Sequence, residues 1–326
     1  MDYVLEISDD LLLDRVYEAV VPCDSFLSPY LVPFSGESRT CIDGSLLPRG
    51  NIYRQYISVS LVVWLLGVIF YFLFAPLSYW FLFDKRTFKH PRYLRNQIRM
   101  EISLTMAAMP VMSLLTAFWF VAEIRGYSKL YGDLNEHGLL YLALQLPLIV
   151  VFSDCLIYFI HRGLHHRLLY KHLHKPHHRW IVPTPFASHA FHPLDGYVQS
   201  LPYHIFPFLF PLNKLMYLAM FVFINLWTIM IHDGEAFANN SVINGAACHT
   251  VHHLYYRYNY GQFTTLWDRL GGSYRKPDEE ICDPTLKMAS GTWTKQVCEV
   301  DQMIEREEDG DDRTYQGKTL GITNES

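Results

Sequence analysis

Charge is scarce in this chain, and so are the devices that usually accompany a soluble or secreted protein. Only 18% of the residues are charged, against 50% hydrophobic and 15% aromatic, a balance too apolar for an ordinary soluble domain. A length of 326 residues then leaves room for one membrane-embedded domain with tails. The cysteines (Cys23, Cys41, Cys155, Cys248, Cys282 and Cys298) nowhere stand in a short pair, so neither a thiolate zinc site nor a disulfide framework is indicated. The first residues carry acidic side chains and no basic lead, so no cleavable signal peptide is expected and the first hydrophobic span is expected to act as the targeting signal. The net charge of -5 hides a basic stretch at 85–99 and an acidic one at 299–312, and neither reads as a nucleic-acid surface.

Long apolar runs are what the chain has instead. Residues 56–83, 102–122 and 138–160 are each long enough to cross a bilayer, with only Asp154 interrupting the third. Pro76, Pro110 and Pro147 kink such spans without forbidding them. Two more apolar stretches, 196–213 and 215–231, read as a helical hairpin, short for a full crossing. Lys85, Arg86, Lys89, Arg92, Arg95 and Arg99 place the first loop in the cytoplasm and the amino terminus on the lumenal side. Counting spans puts the basic segment 161–179 on the cytoplasmic side as well. The tail beyond Pro277 is acidic and poor in apolar residues, so it is expected to be disordered and dispensable for chemistry. The fold expected is all-α: a polytopic membrane protein of about three transmembrane helices, a membrane-embedded hairpin and a cytosolic histidine-rich lobe. Its divisions are 1–53, 54–277 and 278–326. Asn239 heads a glycosylation sequon that this topology would leave unused.

Histidine is the unusual residue. Of 16 histidines, ten fall between His161 and His204. Three clusters share one spacing: His161 with His165; His174 with His177 and His178; His249 with His252 and His253. Offsets of three or four put side chains one turn apart on one helical face, so each cluster can aim its imidazoles at a common point. Eight or more imidazoles exceed one ion's capacity, which implies a two-metal site. No carboxylate cluster accompanies them, unlike the ferritin-like bundles. The blander alternative, a basic face resting on anionic headgroups, accounts for the second cluster but not for the third, which lacks basic neighbours. His232, at the end of an apolar span, is a further candidate ligand, as are His189 and His192, with His192 preferred. Asp154, seven residues before His161, either fixes a ligand tautomer or serves as a structural cap. His90, His137 and His166 read as surface residues, and His172 and His204 as local or packing residues. Phe206, Phe208, Phe210 and Tyr217 either line an apolar entry path or anchor the hairpin in lipid. Trp267, Asp268 and Arg269 are expected to pack the soluble lobe.

The boxes HRGLHH, HKPHH and HTVHH resemble those of the fatty acid hydroxylase superfamily of membrane di-iron oxidases. Three intervening stretches, EIRGYSKLYGDL from Glu123, TPFASHAFHPLDGYVQSLPYHIFPF from Thr184 and NYGQFTTLWDRLGGS from Asn259, are similar to the sterol 5-desaturase (lathosterol oxidase) family in particular. The likeness covers residues 54–277. It implies two iron ions and O2 as oxidant. It also implies electrons from NADH or NADPH through cytochrome b5 and its reductase, in the endoplasmic reticulum membrane. The implied substrate is a Δ7-sterol, episterol or lathosterol, and the product its 5,7-diene. The boxes carry over as ligands His161, His165, His174, His177, His178, His249, His252 and His253, and His232 matches the histidine after the hairpin; His192 completes the candidate set. The rivals are a sterol 4-methyl oxidase or lipid hydroxylase with the same ligands, a dimetal hydrolase and a metal-ion transporter. A transporter would place its polar groups within the spans rather than beside them.

Overall fold

The computed structural model describes residues 1–23, 44–234, 241–287, 289–304 and 313. Two short helices, α1 (Asp2–Ser8) and α2 (Asp14–Val20), precede the long helix α3 (Ile52–Phe81). The Asn51 side chain starts α3 by accepting hydrogen bonds from the Tyr53 and Arg54 amides, satisfying donors that a helix cannot pair internally. Arg54 is buried on the same turn and holds the amino-terminal helices through Asp9, at 2.7 Å, and Asp14. Cys23 is disulfide-bonded, which the wide cysteine spacing had not indicated.

Helix α4 (Gln97–Ile124) packs along α3, and α5 (Gly138–Leu164) packs along α6 (Pro193–Leu209). Each of α3, α4 and α5 keeps its internal proline. A parallel pair, β1 (Leu130–Tyr131) with β2 (Leu212–Asn213), closes the hairpin before α7 (Lys214–Ile231). Gln145 of α5 locks that turn, accepting from the Asn213 amide at 2.7 Å and donating to the Tyr131 hydroxyl at 3.0 Å. Four helices, α3, α4, α5 and α7, are long and apolar enough to cross a membrane. The second arm of the hairpin is therefore a candidate span in its own right, while the first arm is shorter and carries Pro202 and Pro207.

After the hairpin come α8 (Ala246–Tyr255), α9 (Leu266–Leu270), α10 (Glu279–Cys282), α11 (Pro284–Lys287) and α12 (Ser290–Ile304). The expectation of a disordered tail from residue 278 fails here. Ile281, Val300 and Ile304 pack against Ile181, Val251, Leu254 and Tyr255, so α10 and α12 bury the outer face of α8. Gln296 of α12 meets His90 at 3.3 Å, and Asp301 pairs with Arg92. His90 is thus a buried contact of the tail helix, not a surface residue. Asn239 and the residues after Ile304, Arg313 excepted, lie outside the described set.

Candidate metal centre

Local geometry turns the regular spacing into two converging sets. His161 lies in the last turn of α5 and His165 caps it. His174 ends a π-helical turn, Tyr170–His174, a local widening that recurs at functional sites, and His177 and His178 follow in the next turn. On α8 the four-residue pair His249 and His253 goes to one set, while His252 turns to the other. The adjacent His177 and His178 are divided in the same way. The five ring nitrogens of His161, His165, His174, His178 and His252 lie within 4.8 Å of one another, as do the four of His177, His232, His249 and His253. The two sets are neighbours, with the His178 and His253 rings 4.9 Å apart.

At six of the nine rings the inward nitrogen has no proton to give its neighbours, because the ring proton is engaged outside. His161 donates from Nδ1 to the Tyr260 carbonyl (2.9 Å), His174 to the Asp195 carboxylate (2.7 Å) and His252 to the Tyr258 carbonyl (2.7 Å). In the second set His177, His232 and His253 donate to the carbonyls of Ala190 (3.3 Å), Thr228 (2.6 Å) and Trp180 (2.9 Å). A neutral imidazole holding its proton on Nδ1 presents a bare lone pair on Nε2, the form that ligates metals. Those Nε2 atoms face each other at 3.1 Å (His161 with His174, His178 with His174, His253 with His249), 3.0 Å (His249 with His232) and 3.4 Å (His232 with His177). Two nitrogens about 2.1 Å from one ion lie about 3.0 Å apart at a right angle and about 3.4 Å apart at the tetrahedral angle. The donor set therefore fits a pair of metal ions. Among the described residues the buried Nε2 atoms of His165 and His252 have no protein partner, as befits atoms aimed at such an ion.

Burial enforces the neutral form. Desolvation first, and neighbouring imidazoles second, hold His165, His177, His178, His249, His252 and His253 well below the usual histidine range; burial lowers His232 to about 4. Charging such a cluster in a dry site is costly, whereas a cation replaces the protons with one shared partner.

Three of the candidates read from sequence do not reach the cage, and one of them, His189, commits its ring nitrogens to Ser188 and Asn225. His192 caps α6 instead, its Nδ1 accepting from the Leu194 amide at 3.3 Å; a histidine followed by proline at the first helical position is used here for helix initiation. Asp154 touches no imidazole. Its carboxylate accepts from the amides of Gln262 (3.0 Å), Phe263 (2.7 Å) and Thr264 (3.2 Å), so the capping alternative is the one realised. Asp268 accepts from the Tyr260 and Gly261 amides and the Ser273 hydroxyl, each at 2.8 Å. Together these two acids fix the loop that presents the Tyr258 and Tyr260 carbonyls to His252 and His161. Sequence reasoning missed Asp195, which does for His174 what Asp154 was expected to do for His161.

A cavity of about 230 Å³ opens from the cage between α4, α6 and α7. His161, His174, His177, His232 and His249 form its metal-facing end, and Met109, Met112, Ile149, Met220 and Ile224 supply apolar walls. Of the aromatic residues expected on an entry path, Tyr217 lines this cavity; Phe206 is buried in the helix packing, Phe210 is exposed, and Phe208 lines a separate groove beside Trp119. His204 packs between Trp119 and Phe120.

Residues 146–273 match the fatty acid hydroxylase family. Over 97% of this chain and 97% of its own, a Δ(7)-sterol 5(6)-desaturase of Aspergillus fumigatus is 55% identical. A probable Δ(7)-sterol 5(6)-desaturase of Neurospora crassa is 53% identical over 97% of this chain and 98% of its own. The Δ(7)-sterol 5(6)-desaturase of Saccharomyces cerevisiae is 46% identical over the same shares. No solved structure matches.

Proposed function

The chain belongs to the Δ(7)-sterol 5(6)-desaturases and carries a fatty acid hydroxylase domain, and we propose from that premise that its nine converging histidines hold two iron ions. It is an oxidoreductase of sterol biosynthesis that forms the C5–C6 double bond of a Δ7-sterol. Episterol is the substrate that fits fungal relatives. Two hydrogens leave the sterol, NADH or NADPH supplies two electrons through cytochrome b5 and its reductase, and O2 is reduced to two waters. When bound, the iron pair supplies the one-electron chemistry that reduces dioxygen and removes unactivated hydrogens.

The chain's own residues prepare that reaction. His174, His178, His252 and His253 exclude water, being buried to within 2% of completely. The outward carbonyls and Asp195 hold six of the nine imidazoles in the ligating tautomer. The walls from Met109 to Ile224 receive a rigid apolar ring system and fix which carbons face the cage, so that positioning carries much of the rate. The observation that carries this reading is the opening of a two-metal histidine cage onto an apolar cavity between membrane helices.

The enzyme works in the endoplasmic reticulum membrane with the cage facing the cytosol. In support, the basic loop after α3 sits at the cage end of the helices, where Leu94 packs on Trp180 and Ala190. The disulfide at Cys23 suits an oxidising lumen on the amino-terminal side. On this reading 1–53 is lumenal, 54–277 is the desaturase domain and 278–326 an acidic cytosolic extension whose first part braces α8.

Sterol profiling tests the proposal in cells lacking their own 5-desaturase, complemented with the intact chain or with His252→Ala, alongside iron analysis of both purified proteins. Formation of 5,7-dienes with the intact chain alone, with about two irons per chain, is expected. Unchanged Δ7-sterols with the protein expressed and in the membrane, or hydroxylated or demethylated products, would overturn it.

A further inference from the structure

We infer that His189 and Asn225 form the subsite that grips the 3-hydroxyl of the sterol and so sets which ring carbons reach the cage; this rests on the desaturase reading above. His189 was a candidate metal ligand in the sequence, yet both of its ring nitrogens are committed elsewhere. The Ser188 hydroxyl donates to Nδ1 at 3.0 Å, and Nε2–H donates to the Asn225 side-chain oxygen at 3.2 Å. Tyr71 meets the His189 ring edge-on at 5.8 Å and is itself tied to the Phe186 carbonyl at 2.9 Å. This is a rigid polar pair, built into the wall of the cavity that leads to the metals.

Asn225 is the part that can take a ligand. Its amide nitrogen spends one proton on the Phe221 carbonyl at 2.8 Å, and its oxygen spends one lone pair on His189. One lone pair and one amide proton are left without a protein partner among the described residues, facing the cavity. An alcohol both donates and accepts, and this carboxamide offers one of each.

Reach selects this pair over the far end of the cavity. Three bonds of about 1.5 Å link the hydroxyl oxygen to C5, so the two lie within about 4 Å. The reacting carbon must come within about 3.5 Å of the oxidant. The hydroxyl must therefore sit within about 8 Å of the reacting centre. Thr228, whose carbonyl takes the His232 proton, is three residues after Asn225 on α7, about 4.5 Å along the axis. Phe191, two residues after His189, lies over the His177 ring at 4.5 Å. Both residues thus stand one short step from the four-histidine set. Tyr217 lies eleven residues before Thr228, about 16 Å away along the axis, and its hydroxyl is spent on Glu123; that end suits the sterol side chain.

The test compares a Δ7-sterol with its 3-deoxy analogue, as substrates and by equilibrium binding of the labelled compounds, using the full chain with its electron donors. For the intact enzyme, kcat/KM is expected to favour the sterol by about 10- to 100-fold. Asn225→Leu and His189→Phe should each lower it on the sterol by about that factor, leave the 3-deoxy compound unchanged and keep the full metal content. His189→Gln, which can still donate to Asn225, should restore most of the loss. Discrimination retained in both variants, equal loss on both compounds, or metal lost with His189→Phe would each overturn the anchor. If the intact chain forms no 5,7-diene, the functional reading fails on its own. The binding ratio then judges the anchor, which falls if the substitutions leave that ratio unchanged.

Discussion

The five-histidine set has a carboxylate among its outer partners, beside the Tyr258 and Tyr260 carbonyls, whereas the outer partners of the four-histidine set are all main-chain carbonyls. Behind the first stands Asp195, 2.7 Å from His174 and itself braced by Gln199 at 2.7 Å; behind the second stand Ala190, Thr228 and Trp180. A carboxylate partner makes an imidazole more basic and a stronger donor, while a carbonyl mainly orients it. The cavity touches three of the four ligands in the second set and only two of the five in the first. One set is fuller and better backed, the other leaner and more open to a substrate. What they share is the turn of His174 to His178 and α8, each of which supplies ligands to both.

Removing a ligand from either side should have the largest effect. His252→Ala and His249→Ala are each expected to reduce 5,7-diene formation by roughly a thousandfold or more, read by sterol profiling, with bound iron falling toward about one per chain. Tolerance of either change would dissolve the idea of a two-ion centre. Asp195→Asn separates the sets more finely. It should weaken metal binding by about 10- to 100-fold in the five-histidine set alone, so that metal titration becomes two-phased; a single unshifted phase would deny the carboxylate its role. Val300→Asp acts on what the sets share. A charge placed under α8 should cost about 2–4 kcal/mol, visible as a lower Tm and as equal metal loss from both sets. His192→Ala should do least, no more than about 1 kcal/mol of helix stability, with full metal content and activity within about twofold; loss of metal would return His192 to the ligand set.

The cage was legible because helical turns write their geometry into short spacing: His161 with His165 and His249 with His253 need only a four-residue repeat to share a face. Which set each joins was not legible, since His177 and His178 are adjacent yet part company through the turn they occupy. Asp195 lies 21 residues from the histidine it serves, and no local pattern links them. The carbonyls of Tyr258, Tyr260 and Trp180 are main-chain groups, which any residue would supply, and leave no mark in sequence at all. The folded tail did leave one. Trp293, Val297, Val300 and Ile304 recur at offsets of four, seven and eleven, a helical stripe that the acidic composition around it concealed.

The cage draws its ligands from the end of α5, the turns after it, the end of α7 and α8, a stretch from His161 to His253. A site assembled across such separation bears on biosynthesis as well as catalysis. Both sets lack at least one ligand until α8 has been made and the chain has come back from the far side of the hairpin, so a complete metal centre can form only after the last span is in place. Loading is then a late step in the enzyme's maturation, and a chain arrested before residue 249 would sit in its membrane with most of its histidines in hand and neither set complete.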